Sequence, residues 1–515
     1  MLVPLTVLDA TSADIAITMG WVYGTETPLS AESMAAHEAR LKEAAERVVR
    51  KWPLLAGVPK LLGPGRWAID VPDDLEDTSK SRSLVDFSST THQQPFHVAA
   101  GLPGAIPPLD KASSGVSAVA DVALFCPSSY PSSLAALAKR QLPILHLHIA
   151  FFSDAIALGV TVAHGAADGT GYGMILRALD AELHGSGEWE VPPLFVENPL
   201  DKALEGLIKD EAVAKNPPAP LEGWSTFSFG GMLRMLVSMV VEFFWWKVES
   251  HSLFLRQAAV DHVVAKAKKE VEEETGGTDY VSTGDVITAW LLKAAHTDEA
   301  ASSGSVAASA VYNLRSLLST YTTPSGFSPS STLALYPHNA VAPYDFFPSP
   351  LPLNTLSSTS LASLALTFRR TFEAQRTLTG LQAFQRAINA GAGSSMPAFL
   401  PHREWPSLFS PPPASPSTVT KGPTHRWMCA NHMSLGLADL ALPGADGANL
   451  PLLHYTLQAR SPVQIDHGVG IQQVKGAGVT MGGQMRRSRW QSVRKAMEQL
   501  EKEVEDEARR AEIRS

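Results

Sequence analysis

His164 and Asp168, in Ala163-His164-Gly165-Ala166-Ala167-Asp168-Gly169, are the only His-x-x-x-Asp pair in the chain. An imidazole titrates near neutrality. A histidine held at a cleft can therefore take a proton from a hydroxyl or amine as that group attacks an electrophile. An acid four residues on can orient the ring or fix the turn. The pair follows an apolar run, Gly159-Val160-Thr161-Val162-Ala163, and precedes small residues and a helical pattern. The end of a strand is where a rigid sheet presents a base to a cleft. By themselves, the two residues read more simply as turn residues with local hydrogen bonds.

Other chemistries are excluded by their missing motifs. The chain has no Gly-x-Ser-x-Gly elbow, no Gly-x4-Gly-Lys-Ser/Thr loop and no His-Glu-x-x-His. Gly169-Thr170-Gly171-Tyr172-Gly173 is glycine-rich but lacks the third glycine of a dinucleotide fingerprint. His146 and His148 alternate along a strand and share a face, as two metal ligands would. No third ligand is evident, so no metal is expected, and they read as strand histidines facing solvent or a cavity. Two cysteines, Cys126 and Cys429, make neither a disulfide framework nor a four-ligand zinc site.

The elements around the pair follow from periodicity. Residues 32–51 place apolar positions at helical spacing, and Pro53 stops that helix. From Leu142 to Val162, short apolar runs broken at Ser153-Asp154 predict two adjacent strands. A helix follows from Tyr172. Residues 191–223, rich in Pro, Ala and charge, suit a long connection between halves. Helices are predicted over Ala258–Glu274 and Ser282–Ala295, the latter with Asp285 in its first turn, where the macrodipole favours an acid. Ser/Thr/Pro-rich stretches at 319–332, 346–360 and 410–419 read as loops. A charged helix from Met485 carries Trp490, Val493, Met497, Leu500 and Val504 on one side, with its charges on a solvated face. The class expected is α/β, with mixed sheets in two domains of similar size. These span 1–195 and 251–515, joined by a crossover over 196–250.

Composition bounds the partners. The 515 residues carry 51 acids and 42 bases, a formal net charge of -9, and no basic block outside the last thirty residues, so nucleic acid is not an expected partner. The charged fraction of 18% is below the ~25% usual for soluble domains, which points to much buried surface or an internal cavity. The opening residues lack a basic region followed by a long apolar run, and a cytoplasmic chain is expected. Residues 227–246 (FSFGGMLRMLVSMVVEFFWW) are nearly long enough to span a bilayer but contain Arg234 and Glu242. A buried or amphipathic helix is the simplest reading of that stretch, with peripheral membrane contact as the alternative.

His164-x-x-x-Asp168-Gly169 after such a strand pair resembles the BAHD acyltransferases, plant and fungal enzymes that move acyl groups from acyl-CoA to alcohols or amines. Other segments agree in order. Leu5-Thr6-Val7-Leu8-Asp9 resembles the family's opening, and Trp52-Pro53-Leu54-Leu55-Ala56-Gly57 its Pro-Leu-Leu-Ala-Gly. Ser282-Thr283-Gly284-Asp285 through Trp290 resembles its Ser-x-x-Asp helix. Asn313-Leu314-Arg315-Ser316 resembles the segment with its structural arginine, and His338-Asn339-Ala340-Val341 its Gly-Asn-Ala-Val turn. The matches span most of the chain, apart from the Ser/Pro-rich insertions and the C-terminal tail, and suggest a divergent, fungal-like member.

The resemblance implies a chloramphenicol acetyltransferase-like fold with an active-site channel between two domains. It implies acyl-CoA as co-substrate, no permanently bound cofactor, and a small-molecule alcohol or amine as acceptor. The implied enzyme is a monomeric acyltransferase of secondary metabolism that transfers groups other than amino-acyl groups. His164 would be the general base, and Asp168 would be structural, pairing with Arg315, with Gly169 and Asn339 as further structural positions. Near the C-terminus the family's Asp-Phe-Gly-Trp-Gly is replaced, Ala441-Leu442-Pro443-Gly444 standing in its place. His432 stands where the family has an indole near the reacting carbonyl, as an oxyanion donor or a plain channel-lining residue. A non-catalytic member of the same fold, binding a lipid or partner enzyme, is the alternative. A condensation-type transferase is disfavoured because Ala163, not a second histidine, precedes His164.

Overall fold

The computed structural model describes residues 1–75, 84–104, 112–214, 224–225, 247–299, 304–347, 350–391, 402–403, 425–442, 453–460 and 468–514. The 227–246 stretch, loop 410–419 and Pro443-Gly444 lie outside them. Among the described residues, no helix is long and apolar enough to cross a membrane.

Helix α1 (Ala31–Lys51) starts at Ser30, whose hydroxyl accepts the Ser33 N–H, and buries Leu41, Ala44, Ala45, Val48 and Val49 along one stripe. It ends at Trp52, where Pro53 opens a tight turn that buries Leu54, Leu55 and Ala56. That stripe packs on the first sheet, built from β1 (Ala16–Gly24), β2 (Asp86–Thr91), β4 (Leu145–Phe151), β5 (Ala155–Ala163) and β10 (Leu453–Arg460). The strand order is β10-β1-β5-β4-β2. β4 and β5 are the predicted adjacent strands, fully buried and antiparallel, with β2 parallel to β4 at the edge. Leu145, Leu147, Ile149, Val160 and Val162 turn toward α1 and α2 (Gly169–Leu183), which form the first core.

The second sheet runs β8-β7-β9-β11-β12-β6-β3. Its strands are β3 (Gly115–Ala118), β6 (Val248–Arg256), β7 (Ser305–Asn313), β8 (Val341–Asp345), β9 (His425–Asn431), β11 (Gly468–Val474) and β12 (Gly478–Arg486). The short strand Leu351–Pro352 pairs with β7 off that path. Helices α3 (Gln257–Thr275), α4 (Thr283–His296), α5 (Leu361–Gln375) and α6 (Arg487–Arg514) cover one face and complete a second core. α6 buries Trp490, Val493, Met497 and Leu500 on one side, as its periodicity predicts, and exposes most of its charges. Arg489 departs from that pattern, fully buried and paired with Glu299 at 3.1 Å. The fold class expected from the sequence, mixed sheets flanked by helices, is the one observed.

Two features depart from the expected division. β3 comes from before residue 195 yet is an edge strand of the second sheet, and β10 comes from after 251 yet is an edge strand of the first. An unpaired edge offers free N–H and C=O groups, and each half satisfies the other's. The stretch 346–360, expected as a loop, contains a helix at Leu353–Ser358. Pro352 precedes its first turn, and Leu353 and Leu356, three apart, are buried.

Candidate active site

β5 ends at Ala163, and the chain turns through 164–168 before α2 begins. The turn is held from every side. At its entry the backbone donates outward, from the Ala163 N–H to the Ile144 carbonyl at 3.1 Å and from the His164 N–H to that of Ile15 at 2.8 Å. From the second half, His338 Nδ1 donates to the Ala166 carbonyl at 2.7 Å, and Asn339 Nδ2 to that of His164 at 2.7 Å. Asn339 is fixed in turn by Asp9, whose Oδ1 accepts its backbone N–H at 2.7 Å and its side-chain amide at 2.9 Å. The other oxygen of Asp9 accepts the Thr6 N–H and hydroxyl, closing a capping box over the first short helix. Asp9 and His338 are fully buried. Sequence reasoning gave neither a role; Thr6-x-x-Asp9 ahead of apolar residues was the local signal for Asp9.

The half-buried His164 ring places Nδ1 3.0 Å from the Ala167 carbonyl. A carbonyl only accepts, so Nδ1 carries the hydrogen and the lone pair of the neutral ring is on Nε2. Nε2 has no hydrogen-bond partner among the described residues.

Asp168 does not touch that ring. It caps α2, taking the Thr170 and Gly171 N–H groups on Oδ1 at 3.0 Å each, and the Ala340 N–H on Oδ2 at 3.0 Å. Arg315 reaches it with both terminal nitrogens, at 2.8 Å to Oδ2 and 3.1 Å to Oδ1. The rest of the guanidinium donates to the carbonyls of Tyr336 and His338 and to Asn313 Oδ1. Asp168 is 2% exposed and Arg315 6%. A buried ion pair persists where its remaining hydrogen-bonding capacity is satisfied, and here it is. Gly171 is required at this helix start, because a Cβ there would lie 1.9 Å from the Pro337 carbonyl oxygen.

His432 follows β9, its N–H donating to the Ile471 carbonyl at 2.8 Å. Its ring lies over Gly169, where a Cβ would come within 2.8 Å of Cε1 and Nδ1. Burial lowers its pKa to about 4; Asp168 partly opposes this and His164 reinforces it. The ring is therefore neutral near pH 7, and among the described residues its nitrogens have no hydrogen-bond partner.

The sequence-derived residues His164, Asp168, Gly169, Arg315, Asn339 and His432 thus meet at one junction between the halves. Beside it, Asn313 bonds Thr170 Oγ1 at 3.3 Å and borders an open cavity of about 310 Å³. Arg369, Arg376, Tyr344 and Phe372 also line the cavity. Asp285, the predicted acid of α4, pairs there with Arg369 at 2.9 Å. Leu437, Leu440 and Leu442, around the altered C-terminal motif, pack into the first core. His146 and His148 are buried rather than facing solvent, because β2 places Asp86 and Ser88 against them. No group of metal-ligating side chains occurs among the described residues.

No protein-family model matches the chain. Over 254 residues it is 26% identical to acetyltransferase BOT5 of Botryotinia fuckeliana, covering 46% of this chain and 44% of that protein. Over 164 residues it is 30% identical to O-acyltransferase pboC of Aspergillus ustus, covering 32% and 33%. Over 263 residues it is 24% identical to the transcriptional regulator calD of Penicillium decumbens, covering 50% of each. The chain spans about a third to a half of the length of these curated relatives. F. graminearum TRI101, solved with coenzyme A and T-2 mycotoxin, superposes with a TM-score of 0.63 at 12% identity, covering 95% of this chain and 96% of that one. Vinorine synthase superposes at 0.53 with 14% identity, covering 95% and 91%. These solved structures share the fold of this chain.

Proposed function

We propose that the chain transfers an acyl group from acyl-CoA to a hydroxyl or amine of a small molecule, with His164 as general base. The observation that carries this reading is the His164–Ala167 hydrogen bond, which fixes the tautomer with Nε2 unprotonated. In the reaction, Nε2 takes the acceptor's proton as its oxygen or nitrogen attacks the thioester carbonyl. The tetrahedral intermediate collapses with loss of the CoA thiolate, and the imidazolium returns the proton to sulfur. No covalent enzyme intermediate is needed, because both substrates meet at the base. Asp168, committed to Arg315 and the α2 cap, holds the turn and takes no part in proton transfer. The neutral His432 ring can donate an N–H to the developing oxyanion.

Two curated relatives are named as acetyl- and acyltransferases, and a structural neighbour was solved with coenzyme A and T-2 mycotoxin, which supports an acyl-CoA donor and a small-molecule acceptor. The reading takes the chain as a cytoplasmic monomer, with 227–246 as its candidate for peripheral membrane contact. The test is thiol release from an acyl-CoA panel offered with small alcohols and amines. His164→Ala abolishes it, and a variant with full transfer activity removes His164 as the base. A second reading, a non-catalytic binder of this fold, is favoured by the altered 441–444 motif and the relative named as a regulator. It predicts no thiol release across the panel, with co-purification of a lipid or partner enzyme.

A further inference from the structure

Parallel pairing of β2 with β4 sets Asp86 opposite His146 and Ser88 opposite His148. Strand alternation puts these residues and Thr90 on one face, away from the core that holds Leu145, Leu147 and Ile149. They form a continuous hydrogen-bonded row. Asp86 Oδ2 lies 2.9 Å from His146 Nδ1, and His146 Nε2 lies 3.1 Å from Ser88 Oγ. Ser88 Oγ is 2.7 Å from His148 Nδ1, and His148 Nε2 is 3.3 Å from Thr90 Oγ1. Thr90 Oγ1 is 3.4 Å from His92 Nε2, at the partly exposed end. His146 is 2% exposed and His148 0%, yet each uses both ring nitrogens. Nothing in the acyl-transfer reading requires them.

The direction of every hydrogen in the row follows from its first member. A carboxylate only accepts, so His146 donates to Asp86 from Nδ1 and must accept on Nε2. Ser88 therefore donates to His146 and accepts from His148 Nδ1. His148 Nε2 then accepts from Thr90, and Thr90 accepts from His92. All the hydrogens point toward Asp86, and the His92 Nδ1 lone pair is left at the solvent end.

We propose that this row is a proton relay and pH-sensitive switch that takes one proton from solvent at His92 and holds it on His146 against Asp86. The steps balance. His92 Nδ1 gains the proton and Nε2 passes its own to Thr90, Thr90 passes one to His148 Nε2, His148 Nδ1 one to Ser88, and Ser88 one to His146 Nε2. His146 ends as an imidazolium that still donates to Asp86, while His148 ends neutral with its hydrogen moved from Nδ1 to Nε2. Every hydrogen bond between His146 and His92 reverses, and no heavy atom has to move.

The surroundings agree with one stored charge at His146. Burial, then His146, then His92 push the His148 pKa down to about 4, so it conducts without holding a charge. Asp86 is the one acid in the row. Thr161 and Gly159 of β5, opposite the two histidines, are uncharged. Tyr130 stacks on the His146 ring at 4.6 Å with its hydroxyl committed to the Pro143 carbonyl. His92 stacks on Phe152, and His97, beyond it in sequence, pairs with Asp154.

The test is a pH titration of the full chain carrying 13C-labelled histidine, whose ring-carbon shifts separate the two neutral tautomers from the cation. His146→Asn and His148→Asn spectra assign the signals. The expected result is that His148 changes tautomer, without charging, in the same step in which His146 takes its proton. Ser88→Ala and Thr90→Val each abolish the His148 change, and thermal melts confirm that both variants fold. A His148 that keeps one tautomer through the His146 titration overturns the proposal. So does a change that persists in either variant, or a His146 that takes no proton before the chain unfolds.

Discussion

Asp9 and Asn339, 330 residues apart, meet through two hydrogen bonds, and the Asn339 amide passes the connection on to the His164 carbonyl. The first short helix thereby sets the backbone of the proposed base through one intermediary in the opposite half. A double-mutant cycle on denaturation midpoints measures the link. Asp9→Ala and Asn339→Ala each strand buried polar groups, at a cost of about 1–3 kcal/mol. The double variant should lose less than the sum, by about 0.5–3 kcal/mol. Strict additivity would mean that the two do not act through each other.

The Asp168–Arg315 pair predicts an asymmetry between replacements. Arg315→Met leaves a buried carboxylate without its main partner, at about 3–5 kcal/mol. Arg315→Lys keeps the charge but loses the two-pronged contact and the carbonyl bonds, and should fall in between. Soluble yield and thermal unfolding check the order; a Lys variant as stable as the native chain contradicts it.

Two glycines two residues apart should fail differently. Gly171→Ala drives a Cβ into the Pro337 backbone oxygen, and the melting temperature should drop sharply or the chain fail to fold. Gly169→Ala meets the His432 ring, a side chain that can yield. Its expected signature is a fall in kcat with a smaller loss of stability. Equal thermal losses would show that His432 is packed as rigidly as backbone.

His432 itself can be tested by rate and by pH. Its pKa of about 4 keeps the ring neutral across the working range, so kcat should show no limb from His432 above about pH 5. If the ring donates to the oxyanion, His432→Ala lowers kcat by about 10²–10³. An unchanged kcat removes that role.

Acid should destabilise the fold through its buried neutral histidines. His148, His338 and His432 all have pKa values lowered mainly by burial, so below the unfolded value near 6.5 the unfolded chain binds more protons. Their contribution is full above 6.5 and declines as pH falls. For His148 the shift corresponds to roughly 3 kcal/mol. Asp201, pushed up to about 6 by burial, works in the opposite sense below that value. Denaturation midpoints across this range should fall, and His148→Gln should flatten the slope.

The turn bearing His164 was legible because its parts are local: an apolar strand, a histidine, small residues and a helix start within one short stretch. Arg315, His432 and Asn339 came from resemblance, since nothing near them in the chain announces a shared neighbourhood. His146 and His148 mark the limit of pattern. Alternation put them on one face, but what covers that face depends on β2 pairing in parallel from about sixty residues upstream. Register of that kind leaves no periodic trace in either strand. The division into halves failed to anticipate β3 and β10 for the same reason. Hydropathy marks a strand, not the sheet that will accept it.

The exchanged strand β10 also bears on how the chain is made. β1 gains its partner β5 early in synthesis, but its other edge waits for Leu453–Arg460 to leave the ribosome. At ordinary elongation rates that is tens of seconds with an open row of backbone donors and acceptors. The nascent chain therefore carries a sticky seam for most of its birth, and heterologous yield of the native sequence should respond to chaperone supply and to the speed of translation.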